Sequence, residues 1–175
     1  MSSVITLRTL QLDDENEFFI ALRDDWENHF EFAPYFSSLA KNNFKNYVNL
    51  ILDLSLGKHL PANHVPCTLL FAFNEENKIL GRSSIRHTLN ENLLQVGGHI
   101  GYGVCPTYRR QGHATSILQK SLHYVQANLL HLKKVLVTCD DHNIGSIKTI
   151  EKNNGVLENI VTIKESKKRR YWIGL

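Results

Sequence analysis

Val104-Cys105-Pro106-Thr107-Tyr108-Arg109-Arg110-Gln111-Gly112-His113-Ala114 is the stretch on which the reading of this chain turns. Before it, residues 97–104 read as a strand, which Pro106 stops. After it, Ala114, Ile117, Leu118, Leu122, Val125 and Leu129 recur every three or four residues, the period of a helix with one buried stripe. A strand, a basic turn with a glycine, then a helix start is the geometry of an anion site. The first amides of a helix have no acceptor within it, and the helix dipole adds partial positive charge there. Gly112 lets backbone approach a ligand closely, Ala114 does not block it, and Arg109 and Arg110 add fixed charge. The segment predicts a cradle for a pyrophosphate.

The same residues resemble the acyl-CoA-binding motif of the GNAT family of N-acetyltransferases, Arg/Gln-x-x-Gly-x-Gly/Ala, which stands here as Arg109-Arg110-Gln111-Gly112-His113-Ala114. Downstream, Asp141-His142-Asn143-Ile144-Gly145-Ser146 and then Ile150-Glu151-Lys152-Asn153-Asn154-Gly155-Val156 are similar to the family's later Asn-to-Glu-Lys-x-x-Gly segment. Both stand in the family's order, with a helix and a strand between them. The resemblance covers about residues 68–173, within what length suggests is one domain, 1–175.

The resemblance implies a single-domain α/β fold with a mixed central sheet, splayed at the acyl-CoA cleft and flanked by helices. It implies acetyl-CoA as co-substrate, with its pantetheine between strands 97–104 and 134–139 and bonded by backbone near Val104. The diphosphate would lie on amides from Gln111, Gly112, His113 and Ala114 to Thr115 and Ser116, beside Arg109 and Arg110. Asn143 would bond the pantetheine or the acceptor, and Ser146 would line the same groove. The implied activity is acetyl transfer to an amine of a small molecule or peptide. The alternative is a non-catalytic acyl-CoA-binding sensor with the same cleft. A homodimer is compatible with this reading.

Bulk properties agree with a soluble globular chain: 42% hydrophobic and 21% charged residues over 175. At this size about 70% of the unfolded surface is buried, so neither disulfides nor a metal is needed for folding. Three cysteines without paired spacing, no long apolar run and a polar start predict a cytoplasmic protein with no signal peptide and no membrane contact. Charge is uneven. Residues 1–104 hold 8 Lys/Arg against 12 Asp/Glu, and residues 105–175 hold 12 against 5. The basic half carries the cradle and suits an anionic ligand. The acidic half could attract a cationic acceptor, or the split could reflect solvated helices.

Along the chain, the pattern predicts strands at 4–8, 68–74, 78–87, 97–104 and 134–139, and a terminal hairpin at 156–164 and 168–173. Helices are predicted at 13–28, 37–56, 112–129 and 143–153, with Gly57 ending the second and a turn or connection at 89–95. Asp141 reads as the N-cap of the last helix. Asp140, at the end of a buried strand, stands where a functional carboxylate is common.

The candidates for catalysis lie on the glycine-rich strand. Gly97, Gly98, Gly101 and Gly103 weaken it and imply a bulge or the close approach of another group. His99 could be a base and Tyr102 an acid or substrate contact. They face opposite sides of a regular strand, and either could instead be packed structure. Asn143 and Ser146, three apart, share a helix face and could equally be cap residues. Many GNAT enzymes carry a tyrosine seven residues after that Asn, placed to protonate the departing thiolate. Here the position is Ile150, so the acid must come from elsewhere, with Tyr102, Tyr108 and Tyr171 as the candidates. Asp24 to Phe32 mixes carboxylates with aromatics in the region that commonly forms part of the acceptor site; the mix suits an amine with an apolar body and equally a surface turn with aromatic anchors in the core. The nine histidines form no metal-binding spacing, so no metal is expected. The run Lys167-Lys168-Arg169-Arg170 reads as a solvated hairpin and not as a nucleic-acid patch.

Overall fold

In chain order the elements are β1 (Thr6–Arg8), α1 (Glu15–Leu22), α2 (Phe44–Ser55), β2 (Cys67–Phe73), β3 (Ile79–Arg86), α3 (Glu91–Gln95), β4 (Ile100–Val104), α4 (His113–Asn128), β5 (Lys134–Asp140), α5 (Ile144–Lys152), β6 (Val156–Ile163) and β7 (Ser166–Gly174). The computed structural model describes residues 5–24, 26, 30–38 and 41–175. Four strands form one sheet in the order β1-β2-β3-β4, and three form another in the order β5-β7-β6. The mixed sheet implied by the resemblance is, in its described ladders, two antiparallel sheets that part between β4 and β5. A single bridge, Gly98 to Val137, crosses the parting.

Packing divides along the first sheet. On one side α1, α2 and the loop between them bury an aromatic cluster. The Phe18 ring has Phe32, Phe36, Phe44, Tyr47 and Phe71 centroids 5.0–6.3 Å away. On the other side α4 and α5 pack Leu118, Val125, Ile147 and Ile150 against Ile85, Ile100, Val135 and Val137. Burying each such large apolar side chain is worth about 1.5–3 kcal/mol. This burial holds two sheets that share almost no backbone pairing.

Several boundaries differ from expectation. The first helix ends at Leu22, not near residue 28. Trp26 donates its ring N–H to the Ala21 carbonyl (2.7 Å) and stacks on Phe30 and Phe32, so these aromatics anchor a loop. The second helix starts at Phe44, because Lys41 and Asn42 take φ near +54 and Asn43 caps it, accepting from the Asn46 N–H at 3.0 Å. Leu39, expected on that helix, and Val4, expected on β1, lie outside the described residues. Residues 91–95 form α3, where a connection was expected; five residues are too few for a period to show. Gly97 and Gly98, with φ of +106 and +61, turn the chain, so β4 begins only at Ile100.

Candidate active site

β4 has a ladder partner on one side only, β3, which pairs Gly81 with Val104, Arg82 with Gly103 and Ser83 with Tyr102. The Cys105 N–H donates to the Leu80 carbonyl at 2.8 Å. Alternation along the strand therefore turns the Val104 N–H the other way, into the gap toward β5. At the far end the gap is closed. The His99 N–H donates to the Leu136 carbonyl (2.7 Å), and the Leu136 N–H donates to His99 Nδ1 (2.9 Å). A methyl group on Gly98 would lie 2.3 Å from the Leu136 oxygen at a positive φ, so only glycine permits this closure.

The open end leads to the basic turn. One 3-10 turn, Pro106–Tyr108, brings Arg109 Nε to 3.4 Å from the Val104 carbonyl. Gly112 adopts φ +84, and a Cβ there would meet nothing within 4 Å. The first helix amides to find acceptors are those of Thr115 and Ser116, both on the Gly112 carbonyl at 3.1 and 3.4 Å. The N–H groups of Gly112, His113 and Ala114 therefore have no acceptor among the described residues. His113 is buried and desolvation lowers its pKa, which keeps it neutral at pH 7 beside the positive end of the helix.

α5 forms the opposite wall. Asn143 caps it, accepting from the Ser146 N–H at 3.0 Å. Tyr102 reaches across from β4 and places its hydroxyl 2.8 Å from Ser146 Oγ. Burial pushes the Tyr102 pKa up to about 12 and the neighbouring Cys139 thiol up to about 11, so both are protonated at pH 7. A groove of about 450 Å³ results. Its walls include Tyr102, Val104, Arg109, Arg110, Gly112, His113, Ala114, Thr115, Asn143 and Ser146. They do not include Gln111, which is exposed, or Ser116, whose N–H is taken by the Gly112 carbonyl.

His99 is not in the groove. It is 5% exposed, its Nδ1 lone pair is taken by the Leu136 amide, and burial lowers its pKa to about 4. As a candidate base it is corrected to a clasp between the sheets. Asp141 does not cap α5; its carboxylate takes the Arg169 guanidinium at 2.7 Å, while Asp140 is paired with Lys168 and Ser166. The family's tyrosine position, Ile150, is fully buried under Gly155. Of the candidate acids, Tyr102 and Tyr108 line the groove and Tyr171 does not, and sequence reasoning missed Gly145 and Thr149 on its wall. Thr149 follows Ser146 at the same three-residue spacing that joined Ser146 to Asn143, and that spacing could have found it.

A second cavity, of about 520 Å³, lies against the face of β2 and β3 opposite α4. Glu31, Tyr35 and His64 from the preceding loops, Arg82, Ser84 and Arg86 from β3, and Leu93 from α3 are among its walls. Groove and cavity adjoin at β4. Gly103 lines the groove, its ladder partner Arg82 lines the cavity, and Phe30 sits where a Gly103 side chain would be, with Arg82 stacked 4.5 Å over its ring.

Among the described residues no group of three His, Cys, Asp or Glu could hold a metal ion, and no helix is long and apolar enough to cross a membrane. The unsatisfied amides, the open Gly112 and the two arginines fit a diphosphate, and the freed strand edge fits an extended amide chain.

The family model described as "Acetyltransferase (GNAT) domain" matches residues 5–156. No curated protein sequence matches the chain significantly. Among solved structures, a GnaT-family protein from Bordetella pertussis aligns over 99% of this chain and 98% of its own, with TM-score 0.66 and 10% identity. A GNAT-family acetyltransferase from Bacillus anthracis aligns over 99% and 96%, with TM-score 0.62 and 16% identity. A chimera of the spermidine N-acetyltransferase SpeG from Vibrio cholerae and hSSAT aligns over 97% and 95%, with TM-score 0.63 and 18% identity. At such identities these likenesses concern the fold.

Proposed function

Because the chain belongs to the acetyltransferase (GNAT) domain family, we propose that it transfers the acetyl group of acetyl-CoA to the amine of a small molecule or peptide. The observation that carries this reading is the start of α4: three unsatisfied amides, an open glycine and two arginines at the mouth of a gap in the sheet. Gly112, His113 and Ala114 hold the diphosphate with their N–H groups, and Arg109 and Arg110 add charge. Val104 and Asn143 bind the pantetheine. Bound acetyl-CoA supplies an activated acyl carbon, whose C–S bond breaks as the C–N bond to the acceptor forms.

The protein's own part is positioning and charge stabilisation. The Val104 N–H points into the gap and polarises the carbonyl. Tyr102 faces the same gap and donates its hydroxyl proton in a hydrogen bond to the departing sulfur. With a pKa near 12 against about 8.5 for a thiol, it stabilises the thiolate without surrendering the proton. The acceptor enters as an ammonium, loses one proton before attack and a second as the amide forms. One goes to the thiolate and one to solvent. The sensor alternative has Ile150 as its support, and a hydroxyl at Tyr102 compensates for that loss.

The test is acetyl-CoA consumption against a panel of amines: amino acids, aminoglycosides, peptide amino termini, and spermidine, which names the activity of one structural neighbour. Thiol release above the amine-free rate with at least one of them is expected. CoA binding with no turnover on any would favour the sensor.

A further inference from the structure

The cavity behind β4 carries charge that the groove does not use. Arg82, Ser84 and Arg86 alternate along β3 and so project to one face, into the cavity. Arg82 is 6% exposed. Its Nε donates to the Phe32 carbonyl at 2.9 Å and its Nη2 to the Glu31 carbonyl at 2.5 Å. Arg86 donates from Nη1 to the carbonyls of Gly97 and Gly98, at 3.3 and 3.1 Å. Neither guanidinium is matched by a carboxylate among the described residues, and Nη1 of Arg82 and Nη2 of Arg86 keep free donors.

A buried cation normally has an anionic partner, because carbonyl dipoles repay only part of its lost hydration. The ionisable neighbours that feel Arg82 are Tyr47, Cys67, Arg86 and Glu31. Burial raises the Tyr47 hydroxyl and the Cys67 thiol, so both are neutral at pH 7. Among the described residues Glu31 is the one carboxylate on the cavity wall, and it is exposed. The cavity is therefore net positive, about 520 Å³ in volume, and built of forked donors suited to a planar or tetrahedral anion. Of the carboxylates between residues 24 and 32, Asp25 and Glu27 lie outside the described residues. Asp24, one of those carboxylates, is turned away to Thr107.

We propose that the acceptor is an amine bearing an anionic group, a carboxylate or a phosphate, which Arg82 and Arg86 receive while the amine extends toward the acyl donor past the Phe30 ring that covers Gly103. The proposal rests on the acetyl-transfer reading of the groove. It excludes polycations as preferred acceptors, since an ammonium in this cavity would meet two guanidiniums.

The experiment compares ω-amino acids of increasing chain length with ω-amino alcohols and ω-aminoalkyl phosphates of the same lengths, and with spermidine. Thiol release gives kcat and KM, and calorimetry in the presence of CoA gives binding without turnover. At the best length, an acid or a phosphate should exceed its matched alcohol in kcat/KM by roughly tenfold or more, the size expected of a charge-assisted hydrogen bond. The two anionic series separate a carboxylate from a phosphate. In Arg86→Gln the acid-to-alcohol ratio should collapse toward one through KM. Arg86→Lys, which keeps the charge and loses the fork, should restore part of it. The inference is overturned if alcohols or spermidine bind and react as well as the acids, or if the ratio survives in Arg86→Gln. Failure of CoA itself to bind would sink the acetyl-transfer reading instead, and calorimetry with the acids and alcohols alone would still decide the cavity's preference.

Discussion

Tyr102 and His99 stand three residues apart and have opposite fates. Strand alternation shows from sequence alone that they face different sides. Which of them meets the groove was hidden, because it depends on the turn that Gly97 and Gly98 impose. Tyr102 reaches Ser146, and Tyr102→Phe should lower kcat by about 10²-fold with CoA affinity little changed, measured by thiol release and calorimetry. Because burial holds this hydroxyl near 12, no pH limb between 6 and 10 should belong to it. His99 gives the opposite signature. The unfolded chain takes a proton on it near pH 6.5, whereas the folded chain resists until about 4. Its contribution is therefore complete above 6.5, is lost as pH falls to 4, and is flat below. The loss is on the order of 3 kcal/mol in denaturant titrations, and His99→Gln, which does not titrate, should flatten that slope. Gly112 belongs to the ligand alone. Its φ of +84 strains any side chain by about 1–2 kcal/mol, but nothing surrounds the missing Cβ, so Gly112→Asp should still fold while its charge, set against the diphosphate, weakens CoA binding at least tenfold by calorimetry. Unchanged affinity in a folded variant would remove the cradle from this turn.

α4 was legible almost to the residue because a long amphipathic stripe, a glycine before it and a stopped strand all agree. α1 was overextended because Trp26 continues its apolar period, although it packs with Phe32 and Phe36 in the loop around Phe18, and α2 because the positive φ of Lys41 and Asn42 does not show in an apolar period. The groove's two walls could be named from local motifs. The arginine-lined cavity could not, since its walls come from loops after α1, from β3 and from α3, and only the assembled sheet brings them together. α5 shows how one residue serves two ends. Asn143 caps the helix through Oδ1 and also lines the groove. Asn143→Asp keeps the cap oxygen and brings a negative charge to the ligand. Stability should stay within about 1 kcal/mol of wild type in a chemical melt, while CoA binding or turnover falls. A sharp loss of stability with activity per folded molecule intact would assign Asn143 to the cap alone.

The molecule as a whole is two antiparallel sheets held by side chains across a gap that one bridge spans. A ligand in the groove beside that gap would lie between β4, at Tyr102 and Val104, and α5, at Asn143 and Ser146. CoA at a hundred times its Kd should therefore add about 2.7 kcal/mol to unfolding, and amide exchange should slow in β4 and α5 together. Protection confined to β4 or to α5 alone would contradict a site between them. The division of the chain between the sheets bears on how the protein is made. The four-stranded sheet uses residues 6–104, and its aromatic cluster draws on no described residue beyond Tyr108. A ribosome delivers the amino-terminal part first. That half can close on its own aromatic centre while the rest is unmade, leaving the outer edge of β4 bare until α4 and then β5 emerge. The bare edge is what becomes the ligand groove. Binding is thus the last capacity the nascent chain acquires, and the cell meets an exposed strand edge before it meets an enzyme.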